Sequence, residues 1–165
     1  MEASGSNPTR VLFVCLGNIC RSPLAEGVFQ SLVDDAGLST KFAVDSAGTG
    51  SWHVGEPPDS RAIMVALEHG VSLDSRARQV RASDFDDFDY VIAMDQENLR
   101  SLERMAAASG GDADIQLLRT YDPHPEGGEV PDPYYGGVSG FENVYQIVAR
   151  SCEGLLMRLR TVAIR

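Results

Sequence analysis

Short apolar runs alternate along the chain with segments whose apolar residues recur three or four positions apart. The runs have the length of buried strands, which need only about four to eight residues. The predicted strands are Arg10–Leu16, Phe42–Ser46, Tyr90–Met94 and Ile115–Leu118.

Helical segments follow each predicted strand. The first begins at Ser22-Pro23, a pair typical of an N-cap and the first helical position, and ends at Gly37. The later ones show a single apolar face, as expected of helices that pack on a sheet. They extend from an Asp59 cap to Gly70, from Glu97 to Ala107, and from a Ser139 cap through the apolar stripe of Phe141–Leu159.

This alternation predicts an α/β fold, a three-layer αβα arrangement with a mostly parallel sheet covered on both faces. Ligands of such folds bind beyond the carboxyl ends of the strands, where the residues after Leu16 would lie. The stretch Tyr121–Gly140 is rich in proline and glycine, and a loop of that length favours a functional role.

The length of 165 residues suits one domain, which we assign to residues 10–165 after a loose polar tail at residues 1–9. Hydrophobic residues make up 43% of the chain, enough for a sizeable core. Apolar runs stay far below the ~20 residues that cross a bilayer, so we expect no membrane span. The amino terminus lacks the basic start and apolar region of a secretory signal.

Charge and cysteine content narrow the functional classes. Fourteen basic residues against 24 acidic ones give a formal charge of −10, which argues against a nucleic-acid partner. A protein with this charge repels anions such as phosphate at long range. Any site that binds a phosphate dianion must therefore be locally positive. The cysteines Cys15, Cys20 and Cys152 are few and odd in number, which favours a reducing cytoplasm. They lack the paired spacing of a zinc site, so we expect no metal.

The segment Cys15–Pro23, with sequence CLGNICRSP, carries the candidate chemistry. A short loop that feeds a helix N-terminus directs several backbone N–H groups into one concavity, which suits a tetrahedral oxyanion. Gly17 widens the accessible backbone conformations, and Arg21 can grip two phosphate oxygens. The helix N-terminus and Arg21 favour the thiolate of Cys15, a strong nucleophile to which Ser22 can donate a hydrogen bond. The alternative is a buried cysteine at a strand end, followed by an ordinary capped helix.

A thiolate that attacks phosphorus expels an alkoxide or phenoxide, which needs a proton. Asp132 in the PDPYYG segment is the best candidate donor, because the flanking prolines stiffen the backbone. The adjacent Tyr134 and Tyr135 could form an aromatic wall beside the loop. Asp122, which precedes Pro123 in the same stretch, is a direct competitor, and spacing alone does not choose between them.

The Cys15–Pro23 and Asp132–Gly136 segments together resemble the low-molecular-weight protein tyrosine phosphatases, from Arg10 to the last helix. Asp45–Thr49 and Met94-Asp95 also resemble family positions. The resemblance implies a four-stranded parallel sheet between helices, with a phosphate-binding loop between the first strand and the first helix. It implies phosphotyrosine-containing proteins as substrates, inorganic phosphate as product, and no metal or organic cofactor.

The resemblance also implies roles for individual residues. Cys15 would form a phosphocysteine, Arg21 would bind the phosphate, and Asp132 rather than Asp122 would act as general acid and then base. Ser22 would stabilise the thiolate. Asn18 would brace the loop through hydrogen bonds, with Ser46 nearby as further support. The rest of the implied site comprises the loop residues Leu16, Gly17, Ile19 and Cys20 and an aromatic wall of Trp52, Tyr134 and Tyr135.

Three further positions refine the resemblance. Cys20 matches the family's second loop cysteine, which can form a reversible disulfide with the nucleophile and prevent irreversible oxidation; the alternative is that it only packs. Some members carry a histidine shortly after the position of Gly70 that supports the loop asparagine. Ser75 stands there in this chain, and its hydroxyl can serve the same purpose. Cys152 falls on the apolar stripe of the last helix and is predicted to be buried.

Other functions remain as alternatives. Arsenate reductases of this fold use further cysteines, and residues 72–83 contain none. Protein-arginine phosphatases tend to carry threonine where this loop has Ile19, and isoleucine suits an aromatic ring better than a guanidinium. A non-catalytic phosphotyrosine-binding module would need neither Cys15 nor Asp132. A nucleotide-binding P-loop is excluded because its Gly-x4-Gly-Lys-Ser/Thr run is absent from the sequence.

Overall fold

Four strands form one parallel sheet within the part of the chain that the computed structural model describes, residues 7–134 and 137–163. The strands are β1 (Thr9–Cys15), β2 (Phe42–Gly48), β3 (Tyr90–Ala93) and β4 (Asp114–Leu117). Their order in the sheet is β2-β1-β3-β4, so β1 is hydrogen-bonded on both sides. In the register, Cys15 pairs with Gly48 of β2 and Val14 with Ala93 of β3.

The described residues also form five α-helices and a 3₁₀ turn. The helices are α1 (Arg21–Asp35), α2 (Ser60–Glu68), α3 (Asp84–Asp87), α4 (Gln96–Ser109) and α5 (Gly137–Ala163), and the 3₁₀ turn is Leu118–Tyr121. None of the described helices combines the length and the apolar character needed to span a membrane.

Alternate residues of β1 face two separate cores. Val11 and Phe13 pack with apolar residues of α1, α2 and α5, while Leu12 and Val14 pack with Phe85 of α3 and with apolar residues of α4. All four β1 side chains are completely buried, as expected for a central strand of a parallel sheet. The sheet therefore has helices on both faces, which confirms the predicted three-layer α/β fold.

Most predicted elements are present, with shifts of one or two residues at their ends. Asp59 caps α2 as predicted, and its side chain accepts a hydrogen bond from the Arg61 amide. Helix α1, in contrast, begins at Arg21 with Cys20 as N-cap, so the prediction of Ser22 as the cap was wrong. Ser139 likewise lies inside α5 rather than ahead of it. Helix α3 and the 3₁₀ turn were not predicted.

Strand order reverses at β1, because β2 lies on one side of it and β3 on the other. In open α/β sheets, ligands bind at such a reversal, beyond the carboxyl ends of the strands. The loop between β1 and α1 begins at this edge of the sheet, and Asp95 lies at the same edge, just after β3.

Candidate active site

The loop between β1 and α1 turns its carbonyl groups outward. The carbonyl oxygens of Cys15, Leu16 and Ile19 accept hydrogen bonds from the backbone of neighbouring segments, namely from Thr49, Gly50 and Asp59, at 2.8–2.9 Å. The amides of Gly17, Ile19, Cys20 and Arg21 donate to no other group in the described part of the chain. Several N–H groups at the start of α1 are thus available to an anion.

The sulfur of Cys15 lies at the base of this loop, within reach of two donors. Its Sγ is 3.1 Å from the Ser22 hydroxyl and 3.3 Å from the amide nitrogen of Asn18. The Ser22 oxygen accepts a hydrogen bond from Asn18 Nδ2 at 2.8 Å, and its own proton can be donated to the sulfur or to the Ala47 carbonyl, which lies 3.4 Å away. Both donors stabilise a thiolate at this position. Because Ser22 serves the loop, it is not the helix cap that its sequence context predicted.

Asn18 holds the loop in shape. Its φ of 58° lies in the left-handed region, which only a few residue types tolerate. The Asn18 side chain uses both ends of its amide: Nδ2 donates to Ser22 and, at 3.0 Å, to Ser46, while Oδ1 accepts from the Arg78 amide at 3.0 Å. The structure therefore brings Ser46 to Asn18, as the resemblance implied, and adds the backbone of Arg78.

Ser75 takes a different place from the one expected of it. Asn18 Oδ1 already accepts from Arg78, and the Ser75 hydroxyl instead acts on Glu26, whose pKa it lowers. Ser46 also donates to Glu26, at 2.5 Å. Burial raises the pKa of Glu26 and the Asp45 carboxylate adds to this, against the lowering effect of the two serine hydroxyls. A chain of hydrogen bonds therefore extends from Glu26 through Ser46 to the phosphate loop.

The guanidinium of Arg21 is buried and held from one side. Its Nη1 donates to Asp95 Oδ2 at 2.7 Å and to the Val130 carbonyl at 3.1 Å. Burial alone would lower the pKa of Arg21, but the Cys15 sulfur and the carboxylates of Asp95 and Asp132 raise it. Within the described residues Nε makes no hydrogen bond, and Nη2 lies 3.7 Å from Asp132 Oδ2. Nε and Nη2 can therefore bind two oxygens of a phosphate.

These groups open into a cavity of about 380 Å³. Asp132, Trp52 and Tyr134 stand at its mouth, with Asp132 47% and Trp52 69% exposed. Tyr135, the third member of the predicted aromatic wall, lies outside the described residues. The residues that line the cavity are Cys15, Leu16, Gly17, Ile19, Cys20, Arg21, Trp52, His53, Asp132 and Tyr134.

The two candidate aspartates have different surroundings. Asp122 has a completely buried side chain that forms ion pairs with Arg119 and Arg150, each at 3.2 Å. Burial alone would raise the pKa of Asp122, but hydrogen bonds from Arg150 and the His124 amide lower it. Asp132 lines the cavity with Cys15. Spacing in the sequence did not distinguish the two aspartates, but their positions differ. Asp132 lies in the cavity, and Asp122 belongs to an internal ion-pair cluster.

The other two cysteines are both buried and free, like Cys15. Cys20 lines the cavity, and its pKa is raised by burial and by the charges of Asp59, Cys15 and Asp132. Cys152 is fully buried in α5 against the Ala25 carbonyl, with its pKa also raised by burial. Within the described residues, no three His, Cys, Asp or Glu side chains are grouped so that they could hold a metal ion.

Sequence reasoning assigned no role to several residues that support the site. Asp95 was noted only as part of a similar segment, although an aspartate directly after a strand lies at the ligand-binding edge of the sheet. His53 approaches Gly17 so closely that a Cβ there would lie 3.1 Å from its ring. Glu26 and Arg78 act on the loop from elements distant in sequence, and no local pattern indicates such contacts.

Known proteins resemble the chain over nearly its whole length. The model of the family described as low molecular weight phosphotyrosine protein phosphatase matches residues 10–163. A low molecular weight protein-tyrosine-phosphatase of Streptomyces coelicolor is 50% identical over 153 residues, covering 92% of this chain and 93% of that protein.

Two solved structures have a similar fold. The crystal structure of YfkJ from Bacillus subtilis has a TM-score of 0.89 at 44% identity and covers 96% of this chain and 99% of its own. The crystal structure of a Drosophila arginine phosphatase has a TM-score of 0.87 at 41% identity, with 91% and 97% covered.

Proposed function

The chain belongs to the low molecular weight phosphotyrosine protein phosphatase family and is a protein-tyrosine phosphatase, and on that basis we propose that it acts through a phosphocysteine on Cys15. Residues 10–165 would form its single catalytic domain. The observation that carries the proposal is the grouping of Cys15, Arg21 and Asp132 around one cavity, with Ser22 and the Asn18 amide directed at the sulfur.

In the first step the phosphate of phosphotyrosine enters the loop and is bound by its free amides and by Arg21. The Cys15 thiolate forms a bond to phosphorus as the bond to the tyrosine oxygen breaks. Asp132, protonated at this stage, donates its proton to the departing phenolate, so that neutral tyrosine leaves. Leu16, Gly17, Ile19 and Cys20 contribute backbone to the binding loop, which is also stabilised by Asn18 and Ser46.

In the second step water replaces the leaving group. The ionised Asp132 takes a proton from the water as its oxygen attacks phosphorus, and the bond between phosphorus and sulfur breaks. The products are inorganic phosphate and the regenerated thiolate. Trp52 and Tyr134, at the mouth of the cavity, would hold the substrate ring; the part of Tyr135 in this wall stays a prediction.

The experiment is hydrolysis of an aryl phosphate by the purified protein in the presence of a chelator. We expect full activity without added metal, because each bond change has a protein group to assist it. Cys15→Ser should reduce turnover below detection while the variant still binds phosphate. Turnover retained by Cys15→Ser, or lost in chelator, would contradict the proposal.

Protein-arginine phosphatase activity is the second candidate, since a Drosophila arginine phosphatase has a similar fold at 41% identity. The apolar Ile19 and the rings of Trp52 and Tyr134 favour an aromatic substrate instead. Comparing kcat/KM on phosphotyrosine, phosphoarginine and phosphoserine peptides of one sequence separates the two. We expect phosphotyrosine to be preferred, and a preference for phosphoarginine would replace the substrate assignment.

The remaining alternatives have less support. An arsenate reductase of this type needs an accessible further cysteine, and Cys152 is fully buried. A non-catalytic module would bind phosphotyrosine peptides without releasing inorganic phosphate, so the same assay tests it.

We also infer redox protection of the nucleophile by Cys20. Peroxide would oxidise the Cys15 thiolate to a sulfenic acid, and the Cys20 thiol would condense with it to form a disulfide and water. A reductant then restores both thiols. The proximity of the two cysteines in one cavity lining supports this step.

A reduced thiol nucleophile suits a reducing compartment, so we infer a cytoplasmic location. The substrates would be phosphotyrosine-containing proteins, and the net charge of −10 disfavours nucleic acid as a partner. Fractionation of cells with an antibody against the chain tests the location.

A further inference from the structure

Arg61 of α2 does not line the cavity, yet it contacts a residue that does. Its Cζ lies 5.5 Å from the centroid of the Tyr134 ring and 4.6 Å from that of Phe141. Phe141 is completely buried in α5. Because guanidinium groups are attracted to aromatic rings, Arg61 ties the Tyr134 ring to a ring that is fixed in the core.

Asp59 fixes the orientation of Arg61. Arg61 Nε donates to Asp59 Oδ1 at 3.0 Å and Nη2 donates to Oδ2 at 2.9 Å, a two-pronged contact that holds the guanidinium plane. These hydrogen bonds lower the pKa of Asp59. The Asp59 amide in turn donates to the Ile19 carbonyl at 2.8 Å. Arg61 is therefore anchored, through Asp59, to the phosphate loop itself.

Tyr134 is coupled to Asp132 by its backbone. The Tyr134 amide donates to Asp132 Oδ1 at 3.1 Å, and only Pro133, with its restricted φ, separates the two residues. A displacement of Tyr134 would therefore displace the Asp132 carboxyl. The contacts form a continuous path from the phosphate loop through Asp59, Arg61 and Tyr134 to Asp132.

We propose that Arg61 is a positioning residue that holds Tyr134, and through it the Asp132 carboxyl, over the phosphate loop. This inference rests on the proposed role of Asp132 as proton donor. Arg61 touches neither the phosphate site nor the reacting atoms, so its loss leaves the loop amides and Arg21 in place. Proton transfer to the leaving group is then impaired more than phosphate binding, because proton transfer depends on accurate placement of the carboxyl.

The test compares kcat/KM for two aryl esters in the same enzyme preparation. The phenolate of phenyl phosphate needs a proton as it leaves, whereas the 2,4-dinitrophenolate of the second ester is stable enough to leave without one. The ratio of the two constants does not depend on how much of the protein is folded. We expect Asp132→Ala to lower the ratio of phenyl to dinitrophenyl ester by about 10²-fold and Arg61→Ala to lower it by about tenfold.

Two variants serve as controls. Arg61→Lys keeps the charge but loses the planar fork, so it should restore only part of the ratio. Arg10 also stacks on a ring, with its Cζ 5.1 Å from the Phe88 centroid, but it lies near the opposite end of β1 from Cys15. Arg10→Ala should therefore leave the ratio unchanged.

A double variant shows whether Arg61 acts through the acid. If Arg61 acts only through Asp132, the effects of the two substitutions are not additive. Arg61→Ala should then leave the ratio of the two kcat/KM values unchanged in an Asp132→Ala background. If Asp132→Ala alone does not lower the ratio, the proposed acid is wrong and this inference fails with it. If Asp132→Ala lowers the ratio but Arg61→Ala does not, or if Arg61→Ala lowers it further in the double variant, only the role of Arg61 is overturned.

Discussion

At the residue scale, Asp122 and Asp132 illustrate how surroundings divide two similar residues. Both precede a proline in the stretch after β4. Asp122 forms ion pairs with two arginines, Arg119 of the 3₁₀ turn and Arg150 of α5. These ion pairs connect the 3₁₀ turn, the loop after it and α5. Asp132 is half-exposed at the cavity mouth, where a carboxyl can exchange protons with substrate and water.

We therefore expect opposite results from the same substitution at these two positions. Asp132→Asn should lower kcat/KM on aryl phosphates by about 10²–10⁴-fold with little change in the free energy of unfolding. Asp122→Asn should lower the free energy of unfolding by about 3–5 kcal/mol, because Arg119 and Arg150 lose their buried partner. Kinetics and urea denaturation of both variants check this. Equal loss of activity per folded molecule would refute the assignment of the acid.

Cys20 offers a prediction about pH. Burial raises its pKa, and only the thiolate attacks a sulfenic acid readily. Disulfide formation with oxidised Cys15 should therefore be slow at neutral pH and accelerate by about tenfold per pH unit while Cys20 stays mostly protonated.

The measurement is a brief peroxide pulse, removal of peroxide by catalase, a jump to a chosen pH, and mass spectrometry of the unreduced peptides. Cys152→Ser should behave as the parent protein because Cys152 is completely buried and does not line the cavity. A rate independent of pH, or a disulfide that involves Cys152, would contradict the role of Cys20.

At the element scale, the strands and helices could be predicted because each pattern has one physical cause. The run Val11–Val14 lies in a strand buried on both faces, and the stripe Phe141–Leu159 packs one face of a helix on the sheet. The start of α1 was misplaced because Ser22-Pro23 has the composition of a cap, whereas the Ser22 hydroxyl serves the Cys15 sulfur. The supports from Asp95, Arg78 and Arg61 join distant segments, and a single sequence contains no local signal for them.

Helix α5 packs on the 3₁₀ turn through a glycine. A Cβ at Gly154 would collide with the Tyr121 carbonyl, whereas at Gly140, in the same helix, the nearest atom to a Cβ would be Pro133 Cβ at 3.8 Å. Gly154→Ala should thus lower the free energy of unfolding by about 1–3 kcal/mol despite the higher helix propensity of alanine.

Gly140→Ala is the matched control, and we expect it to be neutral or to raise the free energy of unfolding by up to about 1 kcal/mol. Thermal or urea denaturation of both variants provides the comparison. Equal effects would mean that the close approach of α5 to Tyr121 does not constrain the fold.

At the scale of the whole molecule, a negative protein acts on a negative substrate. The net charge of −10 repels a phosphopeptide at a distance, while the amides of the phosphate loop and Arg21 attract its phosphate at short range. Salt screens the distant repulsion more than the buried contacts.

This difference predicts how salt affects different substrates. Raising NaCl from about 20 to about 200 mM should increase kcat/KM about threefold for a phosphotyrosine peptide with acidic flanks. A peptide with basic flanks should show a decrease over the same range. Steady-state kinetics on the two peptides check this, with a phosphotyrosine peptide that has uncharged flanks as the reference. The same trend for both charged peptides would contradict the prediction.

The central position of β1 has a consequence for how the site is lost. Its residues Val11–Val14 are completely buried and hydrogen-bonded to strands on both sides. Their amide hydrogens can exchange with deuterated solvent only when the whole sheet opens. Cys15 ends this same strand, so we expect the nucleophile to be carried by the most slowly exchanging part of the molecule. Helix α1 supplies Arg21 and several amides of the cradle, so its partial opening should abolish activity while the amides of β1 are still protected.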